Sequence, residues 1–106
     1  MLKEFIPFID KDRYLTIRLF EFLASQKKTV HTFFEIQEAL QVSQYRVKIT
    51  IHDAISLSKD FPTFKLTFEN DILSAFNINN SLLNKIIDFE AHKSLRFRIF
   101  LHTTLN

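Results

Sequence analysis

Apolar residues recur at helical spacing early in the chain. Leu15, Leu19, Phe22 and Leu23 predict a first helix over roughly residues 11–26. Asp10 or Asp12 can cap its start, and Lys27 and Lys28 suit the negative end of its dipole. Thr32 and Glu35 then form a Thr-x-x-Glu capping box that opens a second helix, facing inward with Phe33, Ile36 and Leu40. Ser43 is a second cap, and a third helix runs from about Gln44 to Ser58 with Val47, Ile51, Ala54 and Ile55 as its inward stripe.

Past Pro62 the period changes from helical to alternating. Phe64, Leu66 and Phe68 alternate with Lys65 and Thr67, and a second run covers Ile72–Phe76. Asn70-Asp71 between them has the chemistry of a two-residue turn, so the pair is predicted to be a β-hairpin. Ser81 is expected to cap a fourth helix through about Ala91, with Leu82, Leu83, Ile86 and Ile87 apolar. In the tail Leu95, Phe97, Ile99 and Leu101 alternate like a strand, whereas Phe97, Phe100, Leu101 and Leu105 fit a helix, the preferred assignment. Three helices followed by a hairpin is the order of a winged helix-turn-helix. The expected fold is therefore mainly α with a small β-hairpin, a winged helix-turn-helix over residues 1–78 followed by one or two further helices over 79–106.

Composition narrows the function. At 106 residues with 46% hydrophobic and 25% charged, the chain fits one small globular domain, or one and the start of another. No apolar run is long enough to span a membrane. Glu4 within the apolar N-terminus and the lack of a small-residue cleavage site argue against a signal peptide, so a cytoplasmic location is expected. The absence of cysteine excludes disulfides, thiolate metal sites and cysteine nucleophiles. The absence of glycine removes the phosphate-cradling loops of Walker and dinucleotide-binding motifs.

No catalytic constellation is visible, and the chain is expected not to be an enzyme and to need no cofactor. His31, His52, His92 and His102 are scattered and are expected at the surface or at helix ends, without metal-ligand spacing. Glu35 is explained as a cap partner, and Asp88 and Glu90 are expected on a solvated helix face. No serine sits in a glycine-framed nucleophile elbow. Phe33, Phe34, Phe61, Phe64, Phe68 and Phe76 are assigned to the core.

The third helix offers different chemistry. With its inward stripe assigned, Gln44, Tyr45, Arg46, Lys48, Ile49 and His52 are left on or beside the outward face, and no acid occurs before Asp53. A solvated helix usually carries acids in its first turn. An acid-free turn with Arg46 and Lys48 suits phosphates and base edges instead: Arg46 can pair with guanine, Gln44 with adenine, and Ile49 can touch a thymine methyl. Ser43, at the helix start, and Lys65, on the hairpin, complete the expected DNA-binding set. The wing is undecided, because Glu69 and Asp71 flank its tip, and it either reaches DNA or only braces the fold. A net charge of +2 and a pI near 9.0 are too mild to decide the partner. The competing reading is a winged-helix module that docks a protein through the fourth helix and the apolar tail (Phe97, Ile99, Phe100, Leu101) without touching DNA.

The stretch "FEIQEALQVSQYRVKITIHDAI" resembles the N-terminal helix-turn-helix of the M-protein trans-acting positive regulator (Mga) family, within the wider group of Gram-positive virulence regulators that includes the RofA-like proteins. The resemblance rests on Ile36, Leu40, Val42, Ser43, Val47 and Ile51, on "LTIRLFEFL" in the first helix and on the hairpin after the third. The tail "KSLRFRIFLHTTL" resembles the opening helix of a second helix-turn-helix domain. Gln37 departs from the family's frequent alanine, Gln41 from its frequent turn glycine, and Arg46 from a frequent threonine. The resemblance implies a DNA-binding fragment of a longer transcriptional activator. Its partners would be double-stranded DNA, with a homodimer and a contact to RNA polymerase as further expectations, and no membrane. It assigns no phosphoacceptor role to the four histidines.

Overall fold

The computed structural model describes residues 11–93, with only the backbone at 11, 12, 92 and 93. The elements in chain order are α1 (Lys11–Ser25), β1 (Val30–Thr32), α2 (Phe33–Leu40), α3 (Gln44–Leu57), β2 (Lys65–Glu69), β3 (Ile72–Phe76) and α4 (Asn80–Lys93). This mainly helical chain with a small antiparallel sheet is a winged-helix arrangement carrying one further helix. The Asp10 and Asp12 caps, the tail assignment and the start of a second domain all lie outside the described side chains or residues.

The predicted caps explain the helix starts in part. The Glu35 N–H donates to Thr32 Oγ1 at 3.1 Å, and the Arg46 N–H donates to Ser43 Oγ at 3.2 Å. Helix α4 departs from expectation. Its cap is Asn79, whose Oδ1 accepts from the Leu82 N–H at 2.9 Å, and Ser81 lies inside the helix. A carboxamide oxygen two residues upstream reaches the same orphan N–H groups and wins the position. Lys27 and Lys28 also differ from expectation: α1 ends at Ser25, and Lys28 Nζ sits 2.6 Å from Glu35 Oε2.

The hairpin forms in the predicted register around a tip in which Asn70 and Asp71 both have positive φ, 53° and 61°. That pair of left-handed residues matches the right-handed twist of the strands. A third strand, β1, was not predicted. It pairs antiparallel with the tip half of β3 (Val30 with Ser74, His31 with Leu73, Thr32 with Ile72), giving the order β1-β3-β2. The Phe33 N–H donates to the Asp71 carbonyl at 2.9 Å, tying the hairpin tip to the start of α2. The tip half of the hairpin is thus braced by β1 and the start of α2.

Helices α1, α2, α3 and α4 and the inner face of the sheet close around Phe20, which is fully buried and meets Phe64 edge-to-face at 5.3 Å. Leu19, Ile36, Leu40, Val47, Ile51 and Leu73 complete the centre. The apolar stripe of α4, Leu82, Leu83, Ile86 and Ile87, is buried in this same cluster, so it is not an available docking face. Thr50 and Leu57 join the inward side of α3, and Ile55 is only half-buried. Thr50 can be buried because its hydroxyl donates to the Arg46 carbonyl at 2.7 Å.

Four further assignments need correction. His31 is a core residue on the inner face of β1, not a surface histidine. Glu90 is buried rather than solvated, with its Oε2 3.9 Å from Arg13 Nε. Phe34 and Phe76 are exposed, at 67% and 44%, rather than in the core. Phe34 falls off the stripe set by Ile36 and Leu40, and Phe76 points outward where the alternation of β3 turns Leu73 and Ala75 inward.

Asn79→Ala is expected to lower the unfolding free energy by about 1 kcal/mol. Ser81→Ala is expected to stay within about 0.5 kcal/mol of the parent. Parallel urea titrations followed by circular dichroism check the pair, and equal losses would show that Ser81 shares the cap.

Candidate nucleic-acid interface

The surface begins at the turn between α2 and α3. Gln41 ends α2 in the left-handed region (φ 57°, ψ 44°), a conformation that usually selects glycine. Three side chains support it. Gln41 Nε2 donates to the Glu38 carbonyl at 2.9 Å, Gln37 Nε2 to the Val42 carbonyl at 3.3 Å, and Arg18 Nη2, from α1, to the Leu40 carbonyl at 3.1 Å. Two of the last carbonyls of α2, those of Glu38 and Leu40, and the Val42 carbonyl of the turn are therefore bound by amide and guanidinium donors. Gln37 and Gln41, with Arg18, are the residues that hold the turn.

With the turn fixed, α3 presents Ser43, Gln44, Tyr45, Arg46, Lys48, Ile49 and His52 on one exposed surface, while Val47, Thr50 and Ile51 are buried. Tyr45 is 73% exposed and Ile49 39%. Gln44, Lys48 and His52 follow one row at i, i+4 spacing, and Tyr45 and Ile49 an adjacent one. The first turn holds no acid. Arg46 and Lys48 make no ion pair among the described residues. Asp53, the single acid of α3, is turned to Arg13 of α1 at 3.8 Å. The hydroxyl of Ser43 accepts the Arg46 N–H and keeps its own proton as a donor for an outside acceptor.

Lys65 stands apart from this row, on the outward face of β2 beside its cross-strand neighbour Phe76. Glu69, Asn70 and Asp71 are exposed around the tip. The outer hairpin therefore carries a cation at one end and two acids at the other, while the exposed cations of α3 pair with no acid among the described residues. Among the described residues no group of three or more histidine, aspartate and glutamate side chains is arranged to hold a metal ion, and no helix is long and apolar enough to cross a membrane.

Comparison of the chain with protein-family models, with curated proteins and with solved structures finds no match. The surface is therefore interpreted from its own chemistry.

A second electrostatic feature lies at the β1–α2 junction. His31 Nδ1 is 3.7 Å from Glu35 Oε2, and its ring meets Phe22 edge-on at 5.5 Å. Burial lowers the His31 pKa below its ordinary 6.5, against the opposing pull of Glu35 and with a further push from Lys28. The Lys28 ammonium holds the Glu35 carboxyl below its ordinary 4.5, helped by the Thr32 N–H. For both groups the folded pKa is depressed, so each contributes stability that is present above its unfolded value and lost as pH falls through the folded one.

Stability is thus expected to decline on acidification from pH 6.5, first through His31 and below pH 4.5 also through Glu35. Denaturant titrations across that range should show a shallower decline between pH 6.5 and about pH 5 for His31→Leu than for the parent. Identical slopes would remove His31 as the cause. At the turn, Gln41→Gly is expected to raise the unfolding free energy by up to about 1 kcal/mol by relieving the left-handed strain, and Gln41→Val to lower it by at least about 1 kcal/mol. Thermal melts of the two variants are to be compared, and loss of stability in both would show that the side-chain bond to Glu38 outweighs the strain.

Proposed function

We propose that this chain is the DNA-binding region of a bacterial transcriptional regulator, cytoplasmic and akin to the Mga and RofA-like proteins, with α3 lying in the major groove. The observation that carries the proposal is the outward face of α3: Arg46 and Lys48 are exposed, without acidic partners among the described residues, in the N-terminal half of a helix seated on a winged-helix core. In this arrangement α2 braces and α3 enters the groove N-terminal end first.

Lys48 and the Ser43 hydroxyl bind phosphate, Arg46 and Gln44 read base edges, and Tyr45 and Ile49 cover sugar and thymine-methyl surface. His52 extends the row for a further backbone contact. Lys65 reaches phosphate only if the duplex runs past the outer face of β2. The hairpin tip stays clear, since Glu69 and Asp71 would face the phosphates. A single module of this size is a half-site reader, and tight binding needs a linked or dimeric partner. The competing reading, a protein-docking module that does not bind DNA, loses the apolar stripe of α4 as its surface, because that stripe is in the core.

Fluorescence anisotropy of a labelled A/T-rich duplex tests the proposal. The parent is expected to bind weakly with an affinity that falls steeply with salt. Arg46→Ala/Lys48→Ala is expected to weaken binding about tenfold or more and to reduce the slope of log K against log salt by roughly 1–2. Absence of binding at low salt with the circular dichroism spectrum intact, or an unchanged slope in the double variant, would take α3 off the DNA.

A further inference from the structure

Away from α3 the surface opens into a groove of about 400 Å³ beside α1 and α2, lined by Phe22 of α1, by Gln26 just past its end, and by Phe34, Glu35, Glu38 and Ala39 of α2. The lining residues follow helical geometry. Phe34 and Glu38, and Glu35 and Ala39, are each one turn apart on α2, and Phe22 of α1 lines the groove with Gln26, which follows that helix. Two stripes thus flank a shallow channel with an apolar floor. Phe34 is 67% exposed and contributes nothing to the core in that position. A large aromatic beside a half-buried Phe22 makes a patch that water covers poorly.

The charges decide what can cover it. Two carboxylates stand at the rim, and they are not equivalent. Glu35 is held by Lys28 at 2.6 Å, whereas the Glu38 carboxylate has no ion pair among the described residues. Nucleic acid is disfavoured here, because its phosphates would approach an unpaired acid. A second copy seated through the same surface is disfavoured too, because the lining residues carry two carboxylates and no cation, so self-pairing offers Glu38 no opposite charge. What complements the groove is an apolar anchor with a cation one helical turn away.

We propose that this groove is a docking site for an amphipathic helical peptide segment of another protein, with a leucine or phenylalanine packing on Phe22 and Phe34 and a lysine or arginine pairing with Glu38. Helix-in-groove recognition needs the features present here: two flanking helices, an apolar floor and one charge to fix direction and register. The groove shares no residue with the exposed row of α3, so the two surfaces can be occupied together.

The test uses the full chain, isotope-labelled, titrated with a short synthetic amphipathic helical peptide whose leucine and phenylalanine anchors are flanked by lysines. A control peptide carries glutamates in place of the lysines. The lysine peptide is expected to shift the amide resonances of Phe22, Phe34, Glu38 and Ala39. Glu38→Lys should weaken it about tenfold or more and transfer the preference to the glutamate peptide. Phe34→Ser should abolish binding without loss of fold, since that side chain lies outside the core, and Arg46→Ala/Lys48→Ala should leave binding unchanged. Equal binding by the Glu38→Lys variant, shifts confined to another surface, or no shift up to millimolar peptide would overturn the proposal. Self-association in sedimentation that Phe34→Ser removes would overturn it in favour of a second copy.

Discussion

Every reversal of this chain is made without glycine, and that constraint shapes the whole arrangement. Four described residues adopt positive φ: Gln41, Asn70, Asp71 and Asn77. Asparagine and aspartate tolerate this region because their short polar side chains bond locally. They serve at the hairpin tip and before α4. Gln41 has no such intrinsic ease. Its conformation persists because Gln37, Arg18 and its own carboxamide bind the carbonyls around it. The angle between α2 and α3, and with it the presentation of the outward face of α3, therefore depends on a small set of side-chain hydrogen bonds rather than on a permissive residue.

Charge on the molecule is sorted more sharply than a net value of +2 suggests. Among the described residues the outward face of α3 has cations that pair with no acid, the hairpin tip carries Glu69 and Asp71, and the α1–α2 groove is rimmed by Glu35 and Glu38. One pairing keeps the sorting intact. Arg13 stands within 4 Å of both Asp53 and Glu90, turning the acid of α3 toward α1 and neutralising a buried carboxylate of α4. Segregation of this kind allows two chemically opposite partners on one small core, and the proposals above assign one to each pole.

Features governed by local rules were legible in the sequence. The Thr32 and Ser43 caps, the period of α3 and the Asn70-Asp71 turn each depend on residues a few positions apart, and each is found as expected. The exposed row of α3 could likewise be read by subtracting the inward stripe. What escaped depends on distant partners. Strand β1 is three residues long with no period of its own, and becomes a strand only because Ile72–Ser74 lies alongside it. His31 is buried because that pairing turns it inward, and Glu90 because Arg13 is there to meet it. Residue type alone places Phe34 in the core, whereas it lines the groove at the surface. Its place off the Ile36–Leu40 stripe was the signal available. Thr50 was missed for the converse reason, being a polar residue made apolar in effect by a bond to the Arg46 carbonyl.

The placing of β3 at the centre of the sheet has a consequence for how the protein behaves when crowded with copies of itself. Its backbone is hydrogen-bonded on both sides, leaving β1 and β2 as the two edges. The first edge is only three residues long before the chain turns into α2, and the second sets Lys65 and Glu69 outward at its two ends. An incoming strand meets too short a template on one side and charged side chains on the other. A chain this rich in phenylalanine therefore keeps its most apolar strand out of reach of edge-to-edge addition, the first step toward an amyloid-type ladder.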